Sequence, residues 1–306
     1  GIGTTKTGGF VDLRSGAGTL KSTGMVTIRS ANAVAVGVSG ALVFSSGTAR
    51  SGDTGSISIG TGLSTNGAAG GVYLTVGRTQ AGTNGGAVII NAGTASNMNG
   101  GYVQITSGDS LASRRSGHIS IYSVDSPVGS GSLVLSTGAA TSSSASGSIL
   151  LQTGTASGNS GGDIDVLVGQ ATGAAGGALT LTAGKSTNNR GGVAAITAGE
   201  GSTSGGSLSL SGGLGATKTG GYVSLVSGVG TAKSSGQVTI RSANAATAGV
   251  SGALVFSSGT TKAGASGSIS IGTGLATGGV AGSVYITGGR SSVTAGGNIV
   301  AKAGRS

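Results

Sequence analysis

The chain has no cysteine and no tryptophan, and only one proline (Pro127) and one histidine (His118) among its 306 residues. Without cysteine there are no disulfide staples and no thiolate chemistry. With a single histidine besides, a His/Cys metal cluster is excluded and a nucleophile–histidine triad is not expected. Near-absence of proline, with glycine not recurring at every third residue, excludes collagen and argues against a mucin-like stalk. Charge is also scarce: Asp, Glu, Lys and Arg make up 8% of the residues, unlike the charge-rich composition of a disordered chain. No run approaches 18 apolar residues, so no membrane span is expected. The formal charge is +10, yet only Arg114 and Arg115 put two basic residues side by side, so no nucleic-acid groove is indicated. The chain starts at Gly1 without an initiator methionine or a signal-peptide pattern, and is expected to be processed or to be a window of something longer.

What is present is glycine, 68 residues of it, with serine, threonine and regularly placed aliphatics. The stretch Ser251–Leu275, SGALVFSSGTTKAGASGSISIGTGL, holds two copies of one unit, and Ser39–Leu63 is nearly the same text. Each unit has an anchor glycine, a short alternating segment, a second glycine and a polar tail. Twenty anchors run from Gly9 to Gly297, every interval being 14, 15 or 16 residues. A fixed period of this kind takes precedence over local propensity.

Counting from the anchor, position two is aliphatic in 19 of 20 units (Ala194 is the exception), and position four is aliphatic or Phe in 19 (Ala301 is the exception). Position six is Gly, Ala, Ser or Thr in 18 units, with Val76 and Val168 departing, and position seven is glycine in 17. Period-two alternation bounded by glycines is a strand signature, and positions two, four and six then share one face. The falling size from two to six suggests a core that narrows towards a corner, with the seventh glycine making that corner through positive φ or close backbone approach. Two aliphatics per unit cannot by themselves offset the ordering of fifteen residues, so units must stack. The fold expected is therefore all-β, without helices: a parallel β-solenoid (β-helix) of 20 units over one continuous domain, 1–306. Two units per coil are preferred, because two aliphatic faces could then meet as sheets about 10 Å apart.

A longer period lies above the short one. Residues 1–9 (GIGTTKTGG) match 213–221 (GLGATKTGG), and RSANA and GSISIGTG recur at offsets of 212. Fourteen units form a super-repeat, and the chain holds one and part of a second. The first unit reads FVDLR and the last NIVAK, both ordinary repeats, so the array is expected to continue and to join head to tail.

The text SGSISIGTGLATGGVAGSVYITGG resembles the Gly/Ser/Thr-rich repeats of large secreted proteins of heterokont algae and oomycetes, associated with extracellular filaments, mastigoneme-like hairs and surface coats. That resemblance implies a structural role at the cell surface and carries no catalytic or binding residue across.

Candidate chemistry is thin. His118 sits at an outward position and reads as a surface histidine. Gly184-Lys185-Ser186 has Leu179 where a phosphate loop needs its first glycine. Asp163 and Asp165 point to one side, but neighbouring units lack the aspartates of a calcium-binding roll. Thr180 and Thr182 form the one outward Thr-x-Thr pair, too few for an ice-binding array. All five tyrosines, Tyr73, Tyr102, Tyr122, Tyr222 and Tyr285, fall on the outward face, where with sparse Arg and Lys they are surface contacts for acidic glycans or a sheath protein. No Asn-x-Ser/Thr sequon occurs, and Thr141–Ser146 could carry O-glycans. The reading is a non-catalytic, cofactor-free building block of an extracellular filament that binds itself. A glycan-binding adhesin is the alternative, and an ice-binding protein a more distant one.

Overall fold

The computed structural model describes residues 9–20, 22–80, 82–110, 114–142, 144–246 and 249–304. Among them there is no helix and no strand. The parallel β-solenoid with two units per coil is therefore corrected: the alternating segments are extended, but no backbone ladder joins one to another among the described residues. None of those residues is buried, and the accessible surface totals 30673 Å². A folded monomer of this mass would expose roughly 11,000 Å² and its unfolded chain about 41,000 Å². The aliphatic alternation thus encloses no core.

The chain divides into two units, Gly1–Leu151 and Gln152–Ser306. Each is built from the same local module, and the 15-residue period is plain in both. Bends recur at 35–37, 50–52, 65–67 and 96–98 in the first, and at 157–159, 172–174, 187–189 and 202–204 in the second. Every one of these bends lies in the polar tail, where Ser, Asn, Gly and Thr favour turns. Ser64, Ser186 and Ser291 occupy position nine of their units and accept hydrogen bonds from the N–H groups of Gly67, Asn189 and Thr294 at 3.1, 2.9 and 2.9 Å. Serine there closes the first turn of the tail.

The tail returns to its own start. The N–H of an anchor glycine donates to the carbonyl of the position-seven glycine of the preceding unit: Gly24 to Gly16 at 3.0 Å, Gly101 to Gly93 at 2.8 Å, Gly221 to Gly213 at 2.8 Å, Gly236 to Gly228 at 2.9 Å. The same bond joins Gly117 to Gly108, Gly192 to Gly184, Gly206 to Gly199 and Gly297 to Gly289. A closed loop of this kind brings the beginning of one extended segment against the end of the one before.

This junction explains two sequence columns differently from the expectation. A Cβ on Gly24 would sit 3.3 Å from Cβ of Ser15, on Gly40 3.4 Å from Ser30, and on Gly147 3.3 Å from Thr137. Ser15, Ser30 and Thr137 are all position six. Position six is small because the next anchor's backbone lies on it, not because a core tapers; the anchor is glycine for the same reason. The two departures agree with this geometry, since Val76 and Val168 press closest, with Cγ1 at 2.5 and 2.7 Å from where a Cβ on Gly86 or Gly177 would stand. Position six also supplies most of the residues that are only partly exposed, among them Ser15, Ser46, Ala92, Thr153, Ala198 and Ser258.

The corner role of the seventh glycine is corrected as well. Positive φ occurs at Gly37, Gly52, Gly158, Gly249 and Gly264, all in tails, and at no described position-seven glycine. A Cβ on Gly16, Gly47, Gly93, Gly154, Gly213 or Gly274 would meet nothing within 4 Å. The super-repeat persists in these details: Gly52 and Gly264 share φ of 106° and 107°, 212 residues apart, and Ser45 and Ser257 each donate to the next residue's carbonyl.

Candidate functional site

The feature that recurs in every unit is the aliphatic face of the extended segment. At position two, Val26 is 49% exposed, Leu42 51% and Ile57 53%; position four is more open, Ile59 reaching 76%. These values are about half or more of what a free side chain shows, for residue types that normally lie inside. The outward face is freer still, and the five tyrosines lie on it: Tyr73 is 88% exposed, with Tyr102, Tyr122, Tyr222 and Tyr285 similarly open. They are spread over separate units at positions one, three and five. Tyr73 folds along its own segment, its Cε2, Cζ and Oη standing 3.1 Å from where a Cβ on Gly71 would be. Glycine at position one there makes room for the ring.

The remaining candidates stay apart. His118, Asp163, Asp165, Thr180, Thr182, Lys185 and Arg190 are all exposed, and among the described residues no three His, Cys, Asp or Glu side chains gather to hold a metal. The ion pair between Arg14 and Asp12, 2.7 Å, links neighbours on one outward face and is open to solvent. An open depression of about 440 Å³ lies between Leu181–Ala183 and Val193–Ile196, in the crook of the Gly192–Gly184 junction. It opens in the unit where position two is Ala194 rather than a larger aliphatic. Its lining is apolar apart from Thr182 and has no acid, base or histidine.

Sequence reasoning finds the face but misses the junction between position six and the following anchor. The signal is present: the small residue at six and the glycine eight to ten residues later co-occur in unit after unit. Among the described residues no helix is long and apolar enough to cross a membrane. No protein-family model matches the chain, and no curated protein or solved structure does.

Proposed function

We infer that the chain is a structural, non-catalytic component of an extracellular filament or fibre. The observation that carries this is the regular aliphatic face, half-exposed at position two in successive units with no core to receive it. A surface repeated every fifteen residues suits a partner that repeats likewise, whereas a substrate pocket is singular and concave. The depression at Ala194 offers no paired acid and base, the minimum for general acid–base chemistry. Contiguous apolar exposure on this scale marks a surface meant for association.

Electron microscopy of the native material tests the reading. Filaments decorated along their length by an antibody to this chain support it; particles of single-chain size only, in material where the chain is abundant, refute it. A second reading, glycan contact, draws on the five open tyrosines, because aromatic rings with one polar edge stack on sugars while hydrogen-bonding their hydroxyls. Glycan-array binding that survives in the chain but is lost when Tyr102 and Tyr122 become Ala would establish that role; binding that is absent, or unchanged in the variant, would remove it.

A further inference from the structure

We propose that the aliphatic face is covered by further copies of this same chain, laid parallel and in register, each extended segment pairing with the identical segment of its neighbour. This deepens the filament reading by naming the partner, and it rests on that face being a surface of assembly. Such an arrangement is a sheet between chains, distinct from a coil within one.

Four observations carry it. First, the extended segments have free ladders. The backbone hydrogen bonds among the described residues lie at loop closures and in tails, and positions one to five of the segments have no backbone partner among the described residues. Edge segments in soluble proteins are normally blunted with charge or proline. Here, of the 24 charged residues, 17 Lys and Arg plus 7 Asp and Glu, only seven lie within positions one to six: Asp12, Arg14, Arg29, Asp163, Asp165, Arg241 and Lys302. Fifteen of the twenty segments carry no Asp, Glu, Lys or Arg, and Pro127 is in a tail. Most of the charge, 17 of the 24 residues, lies outside the segments, where like charges on neighbouring copies can spread into water.

Second, the seventh glycine is unexplained by the chain alone. It has no positive φ and open space around it, yet 17 of 20 units have glycine there. A backbone of another copy approaching at the segment's end, about 4.8 Å away, accounts for it.

Third, the interval series is irregular. It reads 15, 16, 15, 15, 16, 15, 16, 14 from Gly9 to Gly131, and a partner can match every segment only if it has the same series. An identical chain in parallel register does so automatically, whereas an antiparallel copy or an unrelated repeat matches only a few units. Register of this kind is fixed by apolar residues that must all land on one face.

Fourth, the area is ample. The surface exposed exceeds that of a folded monomer by roughly 20,000 Å², while a stable specific interface needs about 1,600 Å².

The test uses the absence of cysteine, which makes any introduced thiol unique. Ser58→Cys and Ser209→Cys, each at position three of its segment, are labelled singly with a nitroxide and the full chain is concentrated. Sedimentation is expected to show masses of at least twice 28.2 kDa, and the spectra to show label-to-label separations on the order of 5–10 Å at both sites. Ile57→Asp with Ile59→Asp is expected to abolish the short separation at residue 58 while leaving that at 209. A second variant adds to the single chain only groups that meet nothing: Gly47→Ala, Gly62→Ala and Gly77→Ala together place a Cβ where nothing lies within 4 Å, and are expected to weaken association at least tenfold. A chain that stays monomeric, or that associates with labels beyond about 20 Å, overturns the proposal. Filaments with distant labels refute the in-register contact and leave the filament reading standing; discrete pairs with close labels and no filaments do the reverse.

Discussion

Replacing Gly221 by alanine should open one loop and leave its neighbour closed. The Gly221 N–H donates to the Gly213 carbonyl at 2.8 Å, and a Cβ on Gly221 would stand 2.9 Å from the Gly213 nitrogen. Backbone against backbone cannot yield as a side chain can, so the junction must part and the hydrogen bond lengthen. A net contribution of about 0.5–1.5 kcal/mol corresponds to roughly a 2- to 13-fold rise in the population of the open loop. Lys218 lies in the bend at 216–218, inside the loop that this bond closes. Trypsin needs an extended strand of substrate, so cleavage after Lys218 should follow the open population. The matched control is in the same molecule. Lys233 lies in the bend at 231–233, closed by Gly236 on Gly228. The two loops are alike in detail, for a Cβ on Gly215 would strike the carbonyls of Lys218 and Thr219, and one on Gly230 those of Lys233 and Ser234. Time-resolved mass spectrometry of the digest should show Gly221→Ala accelerating cleavage after Lys218 and not after Lys233. Gly213→Ala, at the other end of the same bond but in open space, should change neither. Equal acceleration at both lysines, or equal effects of both alanines, would refute the junction.

Gly86→Ala should expose Arg78 to trypsin by bringing its Cβ against Val76 Cγ1, and Val76→Ser in the same chain should restore the wild-type rate; additive rather than compensating effects would contradict the contact. Gly264→Ala forces alanine to φ near 107°, a strain of about 1–3 kcal/mol, and should speed cleavage after Lys262, whereas Gly259→Ala, with neither positive φ nor a neighbour within 4 Å, should not. Asp12→Asn breaks the ion pair with Arg14, whose side chain is 82% exposed; its effect on cleavage after Arg14 should be less than about twofold and vanish in high salt, and a larger salt-resistant effect would show the pair to be structural.

The period, the face and the super-repeat are legible in the sequence, because spacing survives any choice of partner. Leu254 and Phe256 illustrate what is not. In GALVFSSG their alternation puts two apolar side chains on one face of an extended segment, but the text is the same whether what covers that face belongs to this chain or to another. A solenoid requires the former, and the extended segment at 252–258 has no such partner among the described residues. Position six misleads in a different way. Ser242 before Gly252 and Thr273 before Gly282 look, along one segment, like the last step of a taper. Their size is set across the junction by the next anchor, at 3.5 and 3.4 Å. A one-dimensional column cannot show that its constraint comes from nine or ten residues downstream. The tyrosines are assigned to one face by parity alone, which needs only an extended backbone; their exposure does not single them out, since no described residue is buried.

Amide hydrogen exchange on the dilute single chain, resolved residue by residue, asks most directly whether the chain pairs with itself. Slow exchange should be confined to closing glycines such as Gly24, Gly101, Gly117, Gly192, Gly221 and Gly236, whose N–H groups donate across the junctions. The amides of the extended segments, 253–257 for example, should exchange at nearly unprotected rates. Protection running continuously through 253–257 and its counterparts in the dilute chain would contradict this and restore a ladder within the molecule.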